Sequence, residues 1–162
     1  MSQPNLYEAD FYTWTETQAK RLRELRDNRL DAANLAEEVA DLGRSELNKT
    51  YEHLVQTVIH LLKLAFSPAG EPRGHWRAEV RGQRNQAVRA FSPGMRRKLD
   101  IEAIWREGRE RAADALADHG EAEIPDAVSC PFALDDLLAA DFDIDQAVAR
   151  VRDAASDRTD GR

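Results

Sequence analysis

At 162 residues the chain is long enough for one domain that buries most of its apolar surface, and no shift in composition divides it. Its apolar runs are only a few residues long and the N-terminus, MSQPNLYEAD, has neither a basic start nor an apolar core, which argues against a membrane-spanning or secretory segment and predicts a cytoplasmic protein. A single cysteine, Cys130, excludes an internal disulfide and a Cys-rich zinc site, and a net charge of −7 speaks against a general nucleic-acid binder.

The pattern is helical throughout. Alanine, leucine, arginine and glutamate dominate, and no alternating run rich in β-branched residues reads as a strand. Asn5, with Glu8 three residues on, predicts the start of a first helix that carries Tyr7, Phe11, Trp14, Leu22 and Leu25 inward. Asp27-Asn28-Arg29 is a short turn, so the next helix should lie antiparallel to the first. That next helix organises the chain. Asp31 is its N-cap, Leu30 can staple onto Leu35, and Ser67-Pro68 stops it, leaving about 36 residues and roughly 54 Å of helix.

The two halves of this long helix differ. Leu35, Val39 and Leu42 make one narrow apolar stripe in the first half, with Glu37, Glu38, Asp41 and Glu46 around it. Leu54, Val55, Val58, Ile59, Leu61, Leu62 and Leu64 cover most of the second half, which predicts the centre of a bundle with a thin polar seam of His53, Gln56, His60 and Lys63. Gly43, mid-helix, predicts a bend or a close helix contact.

After a loop around Pro68 and Pro72, a third long helix is expected from about Gly74 to Phe91, with Trp76, Val80, Ala87 and Phe91 inward. Ser92-Pro93 reads as the cap of a fourth, carrying Leu99, Ile101, Ile104, Trp105, Ala112 and Leu116; Gly108 would admit a neighbouring backbone and Gly120 would end the helix in the left-handed conformation. From Glu121 the chain is irregular, yet Ile124, Phe132, Leu134, Leu137, Leu138 and Phe142 are too apolar for a free tail. They predict a strap across the bundle with one short helix near Leu134 to Ala139. Residues 143–155 form at most a weak helix, and the end is expected to be disordered, giving a bundle domain over 1–142 and a tail over 143–162. The fold class is thus all-α, a single-domain bundle on one long central helix with three further long helices.

Candidate chemistry is sparse. Glu46, Lys49, His53, Gln56 and His60 follow helical steps along one face, but His53 and His60 lie two turns apart, about 10 Å, where chelation on a helix uses one turn. The reading is a polar seam, with His60 bonded to a facing helix, and neither a metal nor a cofactor is assigned; Glu46, His53 and His60 are the only weak metal candidates. Glu37 and Glu38 are about 100° apart on the helix and do not converge on one substrate atom, and no phosphate loop or nucleophile motif occurs, so nothing supports an enzyme. Cys130, before Pro131, reads as a small buried anchor of the strap.

The charge is bipolar. Arg73, Arg77, Arg81, Arg84, Arg89, Arg96, Arg97 and Lys98 face only Glu79 within 73–98, a local +7 that leaves −14 for the rest. Arg77, Arg81 and Arg84 are expected to pair with Asp31, Glu37, Glu38 or Glu46. Arg96, Arg97 and Lys98, at a helix start, are less easily absorbed that way, and the basic segment 73–98 as a whole, with Arg73, Arg77, Arg81, Arg84 and Arg89, keeps nucleic-acid phosphate open as a second reading. The first reading is a protein partner or self-association, through complementary charge.

These residues carry a resemblance. Leu6-Tyr7 with Asp10-Phe11 and Trp14, Asp31, Asn34-Leu35-Ala36-Glu37-Glu38-Val39 with Leu42-Gly43-Arg44-Ser45-Glu46, His60-Leu61-Leu62-Lys63, Trp76 with Arg81 and Arg84, and Cys130-Pro131 leading to Asp141-Phe142 follow one another as in the bacterial family called domain of unknown function 29. The chain resembles that family from residue 6 to about 142, with Trp105 where members usually carry tyrosine. The resemblance implies an all-helical fold. It marks Tyr7, Asp10, Trp14, Asn34, Glu37, Glu38, Gly43, His60, Lys63 and Trp76 as motif residues and brings no activity, substrate or cofactor with them.

Overall fold

A computed structural model describes residues 5–68, 70–120, 123–126 and 128–157. Its helices are α1 (Leu6–Ala9), α2 (Phe11–Glu24), α3 (Ala32–Phe66), α4 (Arg73–Ala90), α5 (Ile101–Asp118), α6 (Leu134–Leu138) and α7 (Ile144–Ser156), with a 3₁₀ turn at Pro93–Arg97. No strand occurs among the described residues. The expected all-α architecture on one long helix is therefore what the chain adopts. It gathers into two compact units, residues 1–50 with 90–99 and residues 51–89 with 100–162, and α3 contributes to both.

In the first unit, capping decides where helices begin. Asn5 accepts from the Tyr7 N–H at 3.2 Å and starts α1, which is only one turn long. The single helix expected here breaks at Asp10, whose carboxylate accepts from the Thr13 N–H at 3.1 Å and the Thr13 hydroxyl at 2.7 Å and so starts α2 afresh. A carboxylate in that place offers the backbone a better partner than one more helical turn would. Asp31 caps α3 as expected, accepting from the Asn34 N–H at 3.3 Å. The staple does not form, since Leu30 and Leu35 both stay exposed.

The packing between α2 and α3 corrects the expected inward faces. Tyr12, Thr15 and Ala19 are the buried row of α2, and Ala36, Gly43 and Thr50 are the buried row of α3. A Cβ at Gly43 would overlap the Thr15 hydroxyl, so the glycine marks the close contact that the sequence suggested. Small residues win this face because they let two backbones approach, and the leucines at 35 and 42 are displaced to the outside. The 3₁₀ turn then closes one side of the pair, with Met95 fully buried and the Ser92 hydroxyl accepting from the Tyr12 N–H at 3.1 Å. It stands where α5 was expected to begin; α5 instead starts at Asp100, which accepts from the Glu102 N–H at 3.0 Å.

In the second unit, Leu54, Val55, Val58, Leu61, Leu62 and Leu64 are fully buried, as the all-round apolar pattern predicts. Trp76, Val80 and Ala87 of α4 and Ile104, Trp105, Ala112 and Leu116 of α5 complete this core. Gly108 lies against α3, where an added Cβ would stand 2.5 Å from Val58 Cγ1. Gly120 follows α5 with φ of 64°, the left-handed end anticipated for it. The strap is anchored on this core, with Trp105 Nε1–H donating to the Val128 carbonyl at 3.0 Å and Phe132 and Leu137 buried. The helix expected to be weak is α7, which buries Ile144, Ala147, Val148 and Val151 and belongs to the second unit. The end expected to be disordered lies, from residue 158, outside the described residues.

Candidate functional site

The basic segment is not assembled into one row. Arg77 forms a two-pronged pair with Asp145 of α7, at 2.7 and 3.3 Å. Arg84 donates to the Ala139 carbonyl and lies 4.9 Å over the Phe142 ring, and its Nε is buried without a hydrogen bond among the described residues. Burial lowers the Arg84 guanidinium from its usual value. Arg73 donates to the Ser67 carbonyl at 3.4 Å. Pairing was the right expectation for Arg77 and the wrong one for its partner, because the carboxylate and carbonyl that take Arg77 and Arg84 come from α7 and the C-terminal strap. The acidic residues of α3 are engaged otherwise: Glu37 binds Arg23 at 2.8 Å and Arg44 at 3.8 Å, and Glu46 binds Lys49 at 2.7 Å.

Four basic candidates stay exposed: Arg81, Arg96, Arg97 and Lys98. Arg96 lies over Phe91 at 5.3 Å, while Arg97 and Lys98 line a groove with Asp10, Thr13 and Glu16. Two carboxylates in that groove lower its appeal to phosphate.

The polar seam of the second unit is real, but its members play different parts from those expected. His53, not His60, reaches the facing helix: its Nδ1 meets Gln83 Oε1 at 2.8 Å, and Gln83 Nε2 donates to Glu79 at 3.2 Å. His60 Nδ1–H donates to the Gln56 carbonyl of its own helix at 2.8 Å, and Lys63 stands 5.9 Å over the Trp76 ring. Among the described residues no group of three or more His, Cys, Asp or Glu is placed to hold a metal. Cys130 is half-buried, its thiol donating to the Phe132 carbonyl at 3.4 Å, and burial pushes that thiol up, away from the reactive thiolate.

Burial holds the His60 imidazole below its ordinary value of 6.5. The unfolded chain then binds the proton more readily, so the stability tied to neutral His60 is complete above about pH 6.5 and is lost as pH falls below it. Urea unfolding from pH 8 to pH 5 should show that decline, and His60→Gln should flatten it; a variant with the wild-type slope would assign the decline elsewhere.

What the sequence reading missed is an open apolar face in the first unit. Thr15 lies against Gly43 and Arg23 against Glu37, so α2 and α3 run antiparallel in a fixed register. At about 100° per residue, Phe11, Trp14, Gln18 and Leu22 lie roughly 90° to one side of the buried row of α2. Leu35, Val39 and Leu42 lie about 70° to one side of the buried row of α3, and because the helices are antiparallel the two offsets fall on the same side of the pair. The 3₁₀ turn takes the opposite side, where Gly94 packs on Thr13. Leu42 is 53% exposed, Leu35 42% and Tyr7 50%, and Phe11, Trp14, Leu22 and Val39 are half-buried. Tyr7, Phe11 and Trp14, expected in a core, instead make an edge-to-face and stacked cluster at one end of this face, with centroids 4.8 to 5.7 Å apart. The signal that could have found it was Gly43: read at a spacing of seven with Ala36 and Thr50, it marks the inward row and turns the leucine stripe outward.

Among the described residues no helix is long and apolar enough to cross a membrane. No curated protein matches the chain. The crystal structure of an α-helical protein of unknown function from Rhodospirillum rubrum is similar to it, with 33% identity over 91% of this chain and 98% of that one and a TM-score of 0.81. The family model for domain of unknown function 29 matches residues 6–143, the stretch over which the resemblance runs, and the chain belongs to that family.

Proposed function

We propose that the protein is a non-enzymatic helical interaction module, acting through association with a protein. The observation that supports this reading is the two-helix apolar face on α2 and α3. Half-exposed aromatics gathered beside exposed leucines are unusual on a surface that meets only water and are the common content of an interface centre.

The test is comparative capture with the full chain as bait. Leu42→Asp places a charge on the face at an exposed position and should leave the fold intact, while Arg81→Glu changes an exposed residue of the second unit as a control. Proteins recovered by the wild type and by Arg81→Glu, other copies of the chain included, should be lost selectively with Leu42→Asp. An identical set from all three baits would defeat the reading.

A further inference from the structure

The geometry points to a second copy of this chain as the occupant of the α2–α3 face, packed by a two-fold axis that runs parallel to the helices. The inference rests on the interaction reading above and names its partner.

The face is self-complementary in shape and in charge. A two-fold axis along the helix direction lays α2 of one copy over α3 of the other, so every helix is antiparallel to both its neighbours, as in a four-helix bundle. Such an axis keeps the register within the pair, where Thr15 is level with Gly43 and Arg23 with Glu37. Leu22 then comes within one helical turn of the level of Leu35, Gln18 of Val39 and Trp14 of Leu42. All six are half-buried or exposed, Trp14 being covered in part by the Tyr7 and Phe11 rings.

The charges at the rim agree. Arg21 lies about 60° outward from the apolar centre of α2, and Glu38 about 70° outward from that of α3, each on the far edge from its own partner helix. Both are exposed. Within one copy they stand at opposite edges of the face. After the two-fold operation Arg21 of one copy meets Glu38 of the other at the same level, twice per dimer. A heterologous helix would need to present acid and base in this same alternation, whereas a second copy presents it by symmetry.

Sedimentation equilibrium on the full chain tests this. The wild type should be a dimer, and Leu42→Asp should be a monomer with unchanged circular dichroism and a melting temperature within a few degrees of the wild type. Arg21→Glu and Glu38→Arg should each weaken the dimer about tenfold or more, and the two together in one chain should restore it to within about threefold. A dimer broken by Leu42→Asp but indifferent to both charge reversals would overturn the two-fold arrangement. A wild type that stays monomeric to millimolar concentration overturns the second-copy inference outright. If that monomer still captures another protein through Leu42, the interaction reading survives; if its captured set ignores Leu42→Asp, both fall.

Discussion

Leu61→Asp should abolish folding. Leu61 is fully buried in the second half of α3, among Val58, Leu62, Leu64 and the apolar residues of α4 and α5. Removing the leucine side chain from such a site costs about 2 to 5 kcal/mol. Leaving an unpaired carboxylate there adds several more, or forces the group to stay protonated at neutral pH. The total rivals the roughly 5 to 15 kcal/mol that holds a domain of this size together. The expected result is loss of cooperative thermal unfolding and of most helical circular dichroism, with the chain recovered in aggregates. Leu42→Asp is the matched control: the same exchange on the same helix, at a side chain that is 53% exposed, should melt within a few degrees of the wild type. A folded Leu61→Asp would mean that the all-round apolar segment is not the centre of the core.

That contrast also shows where sequence is a good guide. From Leu54 to Leu64 the apolar residues surround the helix, and no arrangement of neighbours could leave such a segment wet; burial there is forced. From Leu35 to Leu42 the apolar residues make only one stripe, and a stripe can face a neighbour within the chain or lie outside it. Periodicity does not choose between the two. The choice is made by backbone approach at Ala36, Gly43 and Thr50, residues with little hydropathic weight of their own.

The candidate site was less legible for a related reason. Arg77 and Asp145 are 68 residues apart, and Arg84 and Ala139 are 55 apart, so no local pattern links them. Asp31, Glu37, Glu38 and Glu46 were plausible partners on charge alone. The fold instead supplied α7 and the strap, segments read as a weak helix and an irregular crossing. The caps were legible where one capping residue stood alone before its helix, as at Asp31, and were missed where two candidates competed, as at Asn5 and Asp10 or at Ser92 and Asp100.

Asp10 is the second residue whose loss should be felt strongly. Burial by itself would raise its carboxyl, but hydrogen bonds from the Thr13 hydroxyl and N–H, the Gly94 N–H and the Ser92 hydroxyl outweigh burial and hold it below its usual 3.8. One side chain thus starts α2 and ties it to the 3₁₀ turn. Asp10→Ala removes an N-cap, worth about 0.5 to 2 kcal/mol, and leaves the Thr13 donors to the water of the groove that they line. A loss of about 1 to 2 kcal/mol is expected, a fall in melting temperature of roughly 5 °C for a chain of this length. Asp31→Ala, at an exposed cap, should cost about 1 kcal/mol or less. Because the lowered carboxyl keeps its advantage only while ionised, the gap between wild type and Asp10→Ala should be full above about pH 4 and close as pH falls further. The other side of the contact gives an independent check: a Cβ at Gly94 would overlap the Thr13 hydroxyl and stand 3.1 Å from both Asp10 carboxylate oxygens. Gly94→Ala should therefore destabilise by displacing them, and should cost distinctly less when Thr13 is already alanine. Equal costs in both backgrounds would show that Thr13 does not resist a methyl group at position 94, and that the cost of Gly94→Ala arises elsewhere.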